Sequence, residues 1–392
     1  MERPKLAIIT GNDLLRYGGA AKYVIAFSNH LREKIDVTIY SRSEKKDHRI
    51  TLDKLKNLTE SRIIYFSTYT IPKSDASIPL TKSALRMLLD LRHFKLVYNY
   101  DDSPFLNLFL LFISKIFKFD IVVGVHNINP LILHVENPRP ILKPFMFVYG
   151  VFKKSVFLLM PKIRVVNSAE KENFIKNGYS GRIYLIPDFV EVPDQANIAS
   201  EGTSEFRVLF VGRLSTLHKG IDLLAEIVDK TLSVNSPIFF RIVGSGEEGE
   251  GIVKSLTLRH PDNVKWLGFV DEDALTEEYR NSSLFILTSR FEAFGLSLAE
   301  AQIHGLPAVA FDCEGPRDII KFSYQGRLVR KYDTSEFSRV ILEYFEEWGG
   351  RGPPALLRKK ISDIVIAEYN KDVIVEKYLN MFNLEKGSIR LQ

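Results

Sequence analysis

Short apolar runs recur along the chain, each leading through a polar or glycine-bearing loop into a stretch with helical spacing. Residues 5–10, 36–40, 62–67, 95–100 and 121–125 read as strands, rich in β-branched and aromatic side chains. Helical patterns over 20–32, 81–92 and 105–118 lie between them, so the spacing predicts a mostly parallel sheet covered on both faces. A second series begins at 206–212 with VLFVG and continues through a helix at 221–232, the strands FFRIV and WLGFV, and a helix at 274–279. Two such series predict an α/β protein with two doubly wound parallel sheets.

The most informative stretch is 284–312, LFILTSRFEAFGLSLAEAQIHGLPAVAFD. An apolar run at 284–287 ends in a polar loop, a helical pattern covers 294–304, and Gly305 and Pro307 stop it before a second apolar run at 308–311. The loop opens straight into a helix N-terminus, where unpaired backbone N–H groups and the dipole favour an anion such as phosphate. Glu292 and Glu300 stand here with seven residues between them. Spacing alone would make them solvated helix glutamates.

Three other places carry candidate chemistry. Gly18 and Gly19 precede the first helix, where backbone can approach a ligand closely, although a bare turn explains the pair as well. Arg213 and Lys219 bracket the loop between a strand end and a helix start, and two cations so placed can clamp a diphosphate. His126 follows the strand IVVGV and so sits at a strand's carboxyl end, where open parallel sheets bind ligands.

Together these residues resemble the family 4 retaining glycosyltransferases of the GT-B fold. The resemblance rests on the E-x7-E pattern of Glu292 and Glu300, the Phe294-Gly295-Leu296 between them, the Gly-Leu-Pro stop, Gly212-Arg213-Leu214 and Lys219-Gly220. It implies two Rossmann-like doubly wound domains facing a cleft: an acceptor-binding domain at 1–190 joined by a terminal helix at 370–392, a linker at 191–204, and a nucleotide-sugar-binding domain at 205–369. It further implies transfer of a hexose from a UDP- or GDP-sugar to a hydroxyl of a glycan or lipid-linked glycan, with retention. In that reading His126, Arg213, Lys219 and Glu292 are catalytic. Gly18, Gly19, Gly212, Gly244, Phe294, Gly295, Leu296, Ser297 and Glu300 line the donor site with Arg213, Lys219 and Glu292. By the same resemblance Arg213 and Lys219 hold the pyrophosphate, Glu292 the donor sugar's hydroxyls and Glu300 the ribose. Two departures stand out. Asp188-Phe189-Val190 replaces the usual Asn-Gly-Val, and Glu314 in CEGPRDII stands where a small residue is commoner.

Other motifs fare less well. Residues 244–249 satisfy G-x-G-x-x-G after a strand, but Glu247, Glu248 and Glu250 would set anions beside a pyrophosphate, so a dinucleotide site is not expected. Asp271-Glu272-Asp273 resembles a metal-carrying D-x-D, yet it precedes a helical pattern and reads as an N-cap. The eight histidines show no paired ligand spacing, so no metal and no cofactor beyond the sugar nucleotide are expected.

Composition bounds the rest. A chain of 392 residues, 45% hydrophobic and 26% charged, suits two globular domains. The single Cys313 excludes an intrachain disulfide and fits a reducing, cytoplasmic compartment. No secretory signal is apparent, and the apolar segment at 105–117 is too short to span a bilayer. Residues 1–195 hold 29 Lys and Arg against 19 Asp and Glu, whereas the remainder holds 24 against 29. A basic first half suggests peripheral contact with an anionic membrane face rather than nucleic acid, and the segment at 143–162 could touch lipid with Lys153 and Lys154 or pack as a core helix. Two rival functions remain at this point: a sugar-nucleotide-binding partner that has lost transfer, and an epimerase or hydrolase on the same fold.

Overall fold

The computed structural model describes residues 3–16, 19–43, 50–70, 77–100, 103–125, 143–192, 205–234 and 237–384. The chain divides into two units: Met1–Ile186 with Val375–Gln392, and Pro187–Ile374.

In the first unit β1 (Lys5–Thr10), β2 (Asp36–Arg42), β3 (Arg62–Phe66), β6 (Leu96–Asn99), β7 (Asp120–Val125), β8 (Lys162–Val165) and β9 (Arg182–Leu185) form a parallel sheet in the order β3-β2-β1-β6-β7-β8-β9. A two-residue pair, β4 (Tyr69–Thr70) and β5 (Ser77–Ile78), stands outside it. Parallel neighbours need crossovers, supplied by α1 (Gly19–Leu31), α2 (Leu52–Leu58), α3 (Lys82–Asp90), α4 (Pro104–Phe117), α5 (Lys143–Leu158) and α6 (Ser168–Lys176). One core lies between the sheet and α3 to α6. There Ala7, Ile9, Val97, Ile121, Val123 and Ile163 meet Met87, Leu110, Phe157 and Phe174.

Residues of the last helix, α15 (Lys371–Met381), return to this first unit. The Tyr378 ring lies 4.3 Å from Phe27 of α1 and 5.7 Å from Tyr98 of β6. Beneath it Arg164 is fully buried, donating from Nε to the Ile186 carbonyl at 2.5 Å, with its guanidinium 5.6 Å from the Tyr378 ring centre.

The second unit contains β10 (Phe206–Val211), β11 (Ile238–Val243), β12 (Val264–Gly268), β13 (Leu284–Leu287), β14 (Ala308–Phe311) and β15 (Gly326–Val329), all parallel, in the order β12-β11-β10-β13-β14-β15. Its helices are α7 (Thr216–Lys219), α8 (Ile221–Leu232), α9 (Glu247–Arg259), α10 (Glu272–Arg280), α11 (Leu296–Ile303), α12 (Glu314–Ile319), α13 (Thr334–Glu347) and α14 (Ala355–Tyr369). Alternate strand residues serve two cores. Val208, Phe210 and Ile286 pack with α8 and α13, while Leu209, Val211 and Leu287 pack with α11 and α14. This is why the strands read as unbroken apolar runs.

The stretch expected to be helical from 294 starts two residues later, because Gly295 takes φ 101° and acts as N-cap of α11. At the other end Gly305 takes φ 77° and lies against Arg358 of α14. Arg358 is 1% exposed and donates from Nη1 to the Arg280 and His304 carbonyls at 3.3 and 3.5 Å, and from Nη2 to the Ser282 carbonyl. One buried guanidinium thus closes the carboxyl ends of α10 and α11. A Cβ at Gly305 would stand 2.6 Å from the Arg358 carbonyl oxygen. Gly305→Ala should therefore destabilise the second unit by about 2 kcal/mol or more, read as a lower midpoint in denaturant melts.

Candidate functional site

Strand order reverses between β10 and β13, so the loops leaving their carboxyl ends diverge and open a crevice, the place where open α/β sheets take ligands. Loop 212–220 leaves β10 and loop 288–295 leaves β13. Gly212 and Gly244 let the first of these pass close to β11: a Cβ on Gly244, at φ 135°, would lie 1.8 Å from the Gly212 oxygen. Gly212 N–H donates to the Val243 carbonyl at 3.0 Å and fixes that approach.

The two loops are tied across the crevice. Lys219 Nζ lies 2.5 Å from Glu292 Oε2, and the Ser289 hydroxyl donates to the same oxygen at 3.1 Å. Thr288 Oγ1 donates to the Lys219 carbonyl at 2.8 Å, and Arg290 N–H to the His218 carbonyl at 2.9 Å. Arg290 adds a bidentate pair with Asp222 at 2.7 and 2.6 Å, which holds the Asp222 carboxyl below the usual carboxylate range. Lys219 and Glu292 are both largely buried, so an anion entering here would meet a cation already held in place.

Two helix N-termini face the candidate loops, and they differ. The start of α7 is closed: Glu248, from α9, accepts from Thr216 N–H at 3.0 Å, Leu217 N–H at 3.4 Å and Ser215 Oγ at 2.9 Å. The start of α11 carries no side-chain cap, because its N-cap is Gly295. The N–H groups of Leu296, Ser297 and Leu298 are the first in α11, before Ala299 N–H returns to the Gly295 carbonyl at 3.0 Å. Geometry therefore leaves α11, one turn from Glu292, to receive an anion.

Further along α11, Glu300 Oε2 accepts from Tyr279 Oη at 2.9 Å. Tyr279 is buried, and both burial and Glu300 push its hydroxyl well above the ordinary value, so it stays a donor. Its ring stacks on His304 at 5.3 Å.

Of the other candidates, Arg213 is exposed just past β10, with no side-chain partner among the described residues, and Gly19 is the first residue of α1 in the first unit. Phe294 is 3% exposed and its ring packs on Tyr369 at 5.3 Å, so only its backbone borders the loop. Gly18 and His126 lie outside the described residues. Asp271 accepts from Ala274 N–H at 2.9 Å as the N-cap of α10. Among the described residues no cluster of His, Cys, Asp and Glu could hold a metal ion. Sequence reasoning missed Ser289, Arg290, Asp222 and Tyr279. Only the Thr288-Ser289-Arg290 run between a strand and the first glutamate hinted at the polar lattice there.

The family model described as glycosyl transferases group 1 matches residues 193–377, across most of the second unit. Over this stretch the chain is similar to glycosyl transferases group 1. The poly(ribitol-phosphate) alpha-N-acetylglucosaminyltransferase of Staphylococcus aureus is 27% identical over 60% of this chain and 47% of that protein. The amylovoran biosynthesis glycosyltransferase AmsD of Erwinia amylovora is 35% identical over 61% of this chain and 64% of its own length. The chain thus spans about half the length of the first of these relatives and less than two thirds of the second. Among solved structures, TarM of S. aureus superposes with a TM-score of 0.74 at 16% identity, covering 98% of this chain and 99% of that one. HepE of Anabaena, solved with UDP and glucose, does so with a TM-score of 0.72 at 17% identity over 97% of this chain and 100% of that one. At such identities the likeness speaks for the fold, which is GT-B: two Rossmann-like parallel-sheet units.

The support under Glu300 has a pH dependence. His304 is 6% exposed beside Arg280 and Arg358, and burial followed by those two cations lowers its pKa from 6.5 to about 4. As pH falls the unfolded chain takes up this proton first. Stability is therefore whole above the ordinary value of 6.5 and is lost as pH falls toward 4, by up to about 3 kcal/mol. Denaturant melts across that window should show the loss, and His304→Gln should flatten it.

Proposed function

We propose that this chain is a retaining hexosyltransferase that moves a sugar from a nucleotide diphosphate donor to a hydroxyl of a glycan or lipid-linked glycan. The observation that carries the reading is the Lys219–Glu292 pair at the switch point beside the uncapped start of α11. A cation, an ordered carboxylate and open helix amides within one crevice suit a diphosphate bearing a polyhydroxylated sugar.

In this reading Lys219, Arg213 and the first N–H groups of α11 bind the diphosphate and stabilise the charge that gathers on it as the glycosidic bond breaks. Glu292 accepts hydrogen bonds from the donor sugar's hydroxyls, and Glu300, held by Tyr279, those of the ribose. Gly212 and Gly244 leave room for the nucleotide against the backbone. The resemblance assigns His126, Gly18 and Gly19 to the same donor, by hydrogen bonding to the sugar and phosphates. The acceptor hydroxyl attacks from the face the diphosphate leaves, and a phosphate oxygen takes its proton, so configuration is retained without a protein nucleophile. Glu292 already accepts from Lys219 and Ser289, which favours a hydrogen-bonding role over nucleophilic attack.

The nucleotide in HepE favours a uridine donor, and the names of the relatives favour a surface or lipid-linked glycan as acceptor. The proposed setting is the cytoplasm, at a membrane face, with residues 1–190 and 370–392 presenting the acceptor, 205–369 the donor, and 191–204 as linker. No metal or further cofactor enters the proposed chemistry.

A thermal-shift panel of UDP, GDP, ADP and their sugars tests this directly. UDP or GDP should raise Tm while ADP does not, and Lys219→Ala should erase the shift. With the matching donor and an acceptor, Lys219→Ala and Glu292→Gln should each lower kcat/KM about 100-fold or more. A flat panel on the wild type would overturn the donor assignment. Free sugar or an epimer formed without acceptor would identify a hydrolase or epimerase instead.

A further inference from the structure

The G-x-G-x-x-G run at 244–249 enters the proposed chemistry only through Gly244, yet all three of its glycines are sterically required. What they leave room for is a segment of the chain itself. A Cβ on Gly246 would stand 2.7 Å from the Leu214 carbonyl oxygen, and one on Gly249 would stand 2.8 Å from both that oxygen and the Leu214 Cβ. Gly244 meets the Gly212 oxygen in the same way. Leu214 N–H donates to the Ser245 carbonyl at 3.1 Å and closes the contact. A pattern that can cradle a pyrophosphate here cradles residues 212–216, the start of the loop that leads to Lys219.

That loop needs holding because α7 is a single turn. Four residues cannot offset the cost of nucleating a helix, so α7 stands only as firmly as its neighbours hold it. Its carbonyl end is held from the loop after β13. The Thr216 carbonyl accepts from Arg290 Nη1 at 2.5 Å, the His218 carbonyl from Arg290 N–H at 2.9 Å, and the Lys219 carbonyl from Thr288 Oγ1 at 2.8 Å. Its amide end is held by Glu248, whose Oε1 accepts from the Thr216 and Leu217 amides and the Thr216 hydroxyl, and whose Oε2 accepts from Ser215 Oγ. Lys219 is the last residue of the turn, and its methylene stem runs over Gly212, where a Cβ would lie 3.6 Å from Lys219 Cδ and Cε. The position of the turn therefore decides where Lys219 Nζ meets Glu292.

We propose that Glu248 is a positioning residue for Lys219: its carboxylate, set by the glycine cradle, clamps the one-turn helix so that Lys219 Nζ already stands where the donor's diphosphate will arrive. The inference deepens the proposed function and rests on its assignment of Lys219 to that diphosphate. Glu248 acts through the turn and touches no reactant.

Without any ligand, amide hydrogen exchange over residues 215–220 should speed about tenfold in Glu248→Ala at little changed Tm, because only the turn is released. With the matching donor and an acceptor, Glu248→Ala should raise the donor's KM about tenfold and leave the acceptor's KM unchanged, whereas a partly unfolded enzyme would lose kcat alone. In the Lys219→Ala background the same change should alter kcat/KM less than about twofold, since the residue it acts through is gone. Should Glu248→Ala melt early, Glu248→Asp carries the same test, because it keeps the charge but falls one methylene short of the Thr216 and Leu217 amides. Unchanged exchange over 215–220 overturns the clamp, and losses of equal size in the two backgrounds overturn its action through Lys219. A wild type that binds no nucleotide, with exchange still faster in Glu248→Ala, would overturn the donor reading while upholding the clamp.

Discussion

Parallel strands cannot be joined by hairpins, and nearly everything functional here follows from that constraint. Each strand must be re-entered by a crossover, so the loops leaving the carboxyl edge of each sheet all emerge on one side. Where the strand order reverses, between β10 and β13, adjacent loops part instead of packing. Two loops line that gap: Gly212 to Gly220 on one wall, Thr288 to Gly295 on the other. Glycine at 220 is a steric requirement of the same arrangement, since a Cβ there would stand 2.3 Å from the Thr288 carbonyl oxygen.

Around that gap the polar groups are paired in a way that sorts their roles. Glu248 closes the start of α7 and Asp271 caps α10, so these acids are engaged in holding helices. Glu292 and Glu300 are held from the side, by Lys219 and Ser289 in one case and Tyr279 in the other. The buried Arg358 secures the far end of α11 by capping carbonyls, which fixes the helix that presents Glu300. Cys313 belongs to this supporting set. It is buried, donates to the Ser289 carbonyl at 3.2 Å, and its thiol is pushed up to about 12 by burial, so it packs rather than reacts.

The first unit divides its helices differently. On one face α1 and the returning α15 bury aromatic rings against each other and against β6. On the other, α4 combines a buried stripe of Leu106 and Leu110 with an exposed stripe of Leu108, Phe112 and Ile116. A segment apolar all round is ambiguous in sequence between a core helix and an interfacial one. Packing buries one stripe of α4 and leaves the other exposed.

By itself the sequence determined the alternation of strand and helix, because periods of 2 and 3.6 and runs of buried β-branched residues are local properties. It also carried the motif residues Arg213, Lys219, Glu292 and Glu300, and the stop at Gly305 and Pro307. Only the tertiary structure decided that Lys219 meets Glu292 across 73 residues, that Glu248 rather than a ligand closes α7 from 32 residues away, and that Tyr279 reaches Glu300. Those pairings depend on strand order, and a local hydrophobic pattern holds no record of which strand will lie beside which. The same reason hid the start of α11. Phe294 fits the helical period, but its ring is drawn into the core against Tyr369, leaving Gly295 at positive φ to begin the helix with its amides open.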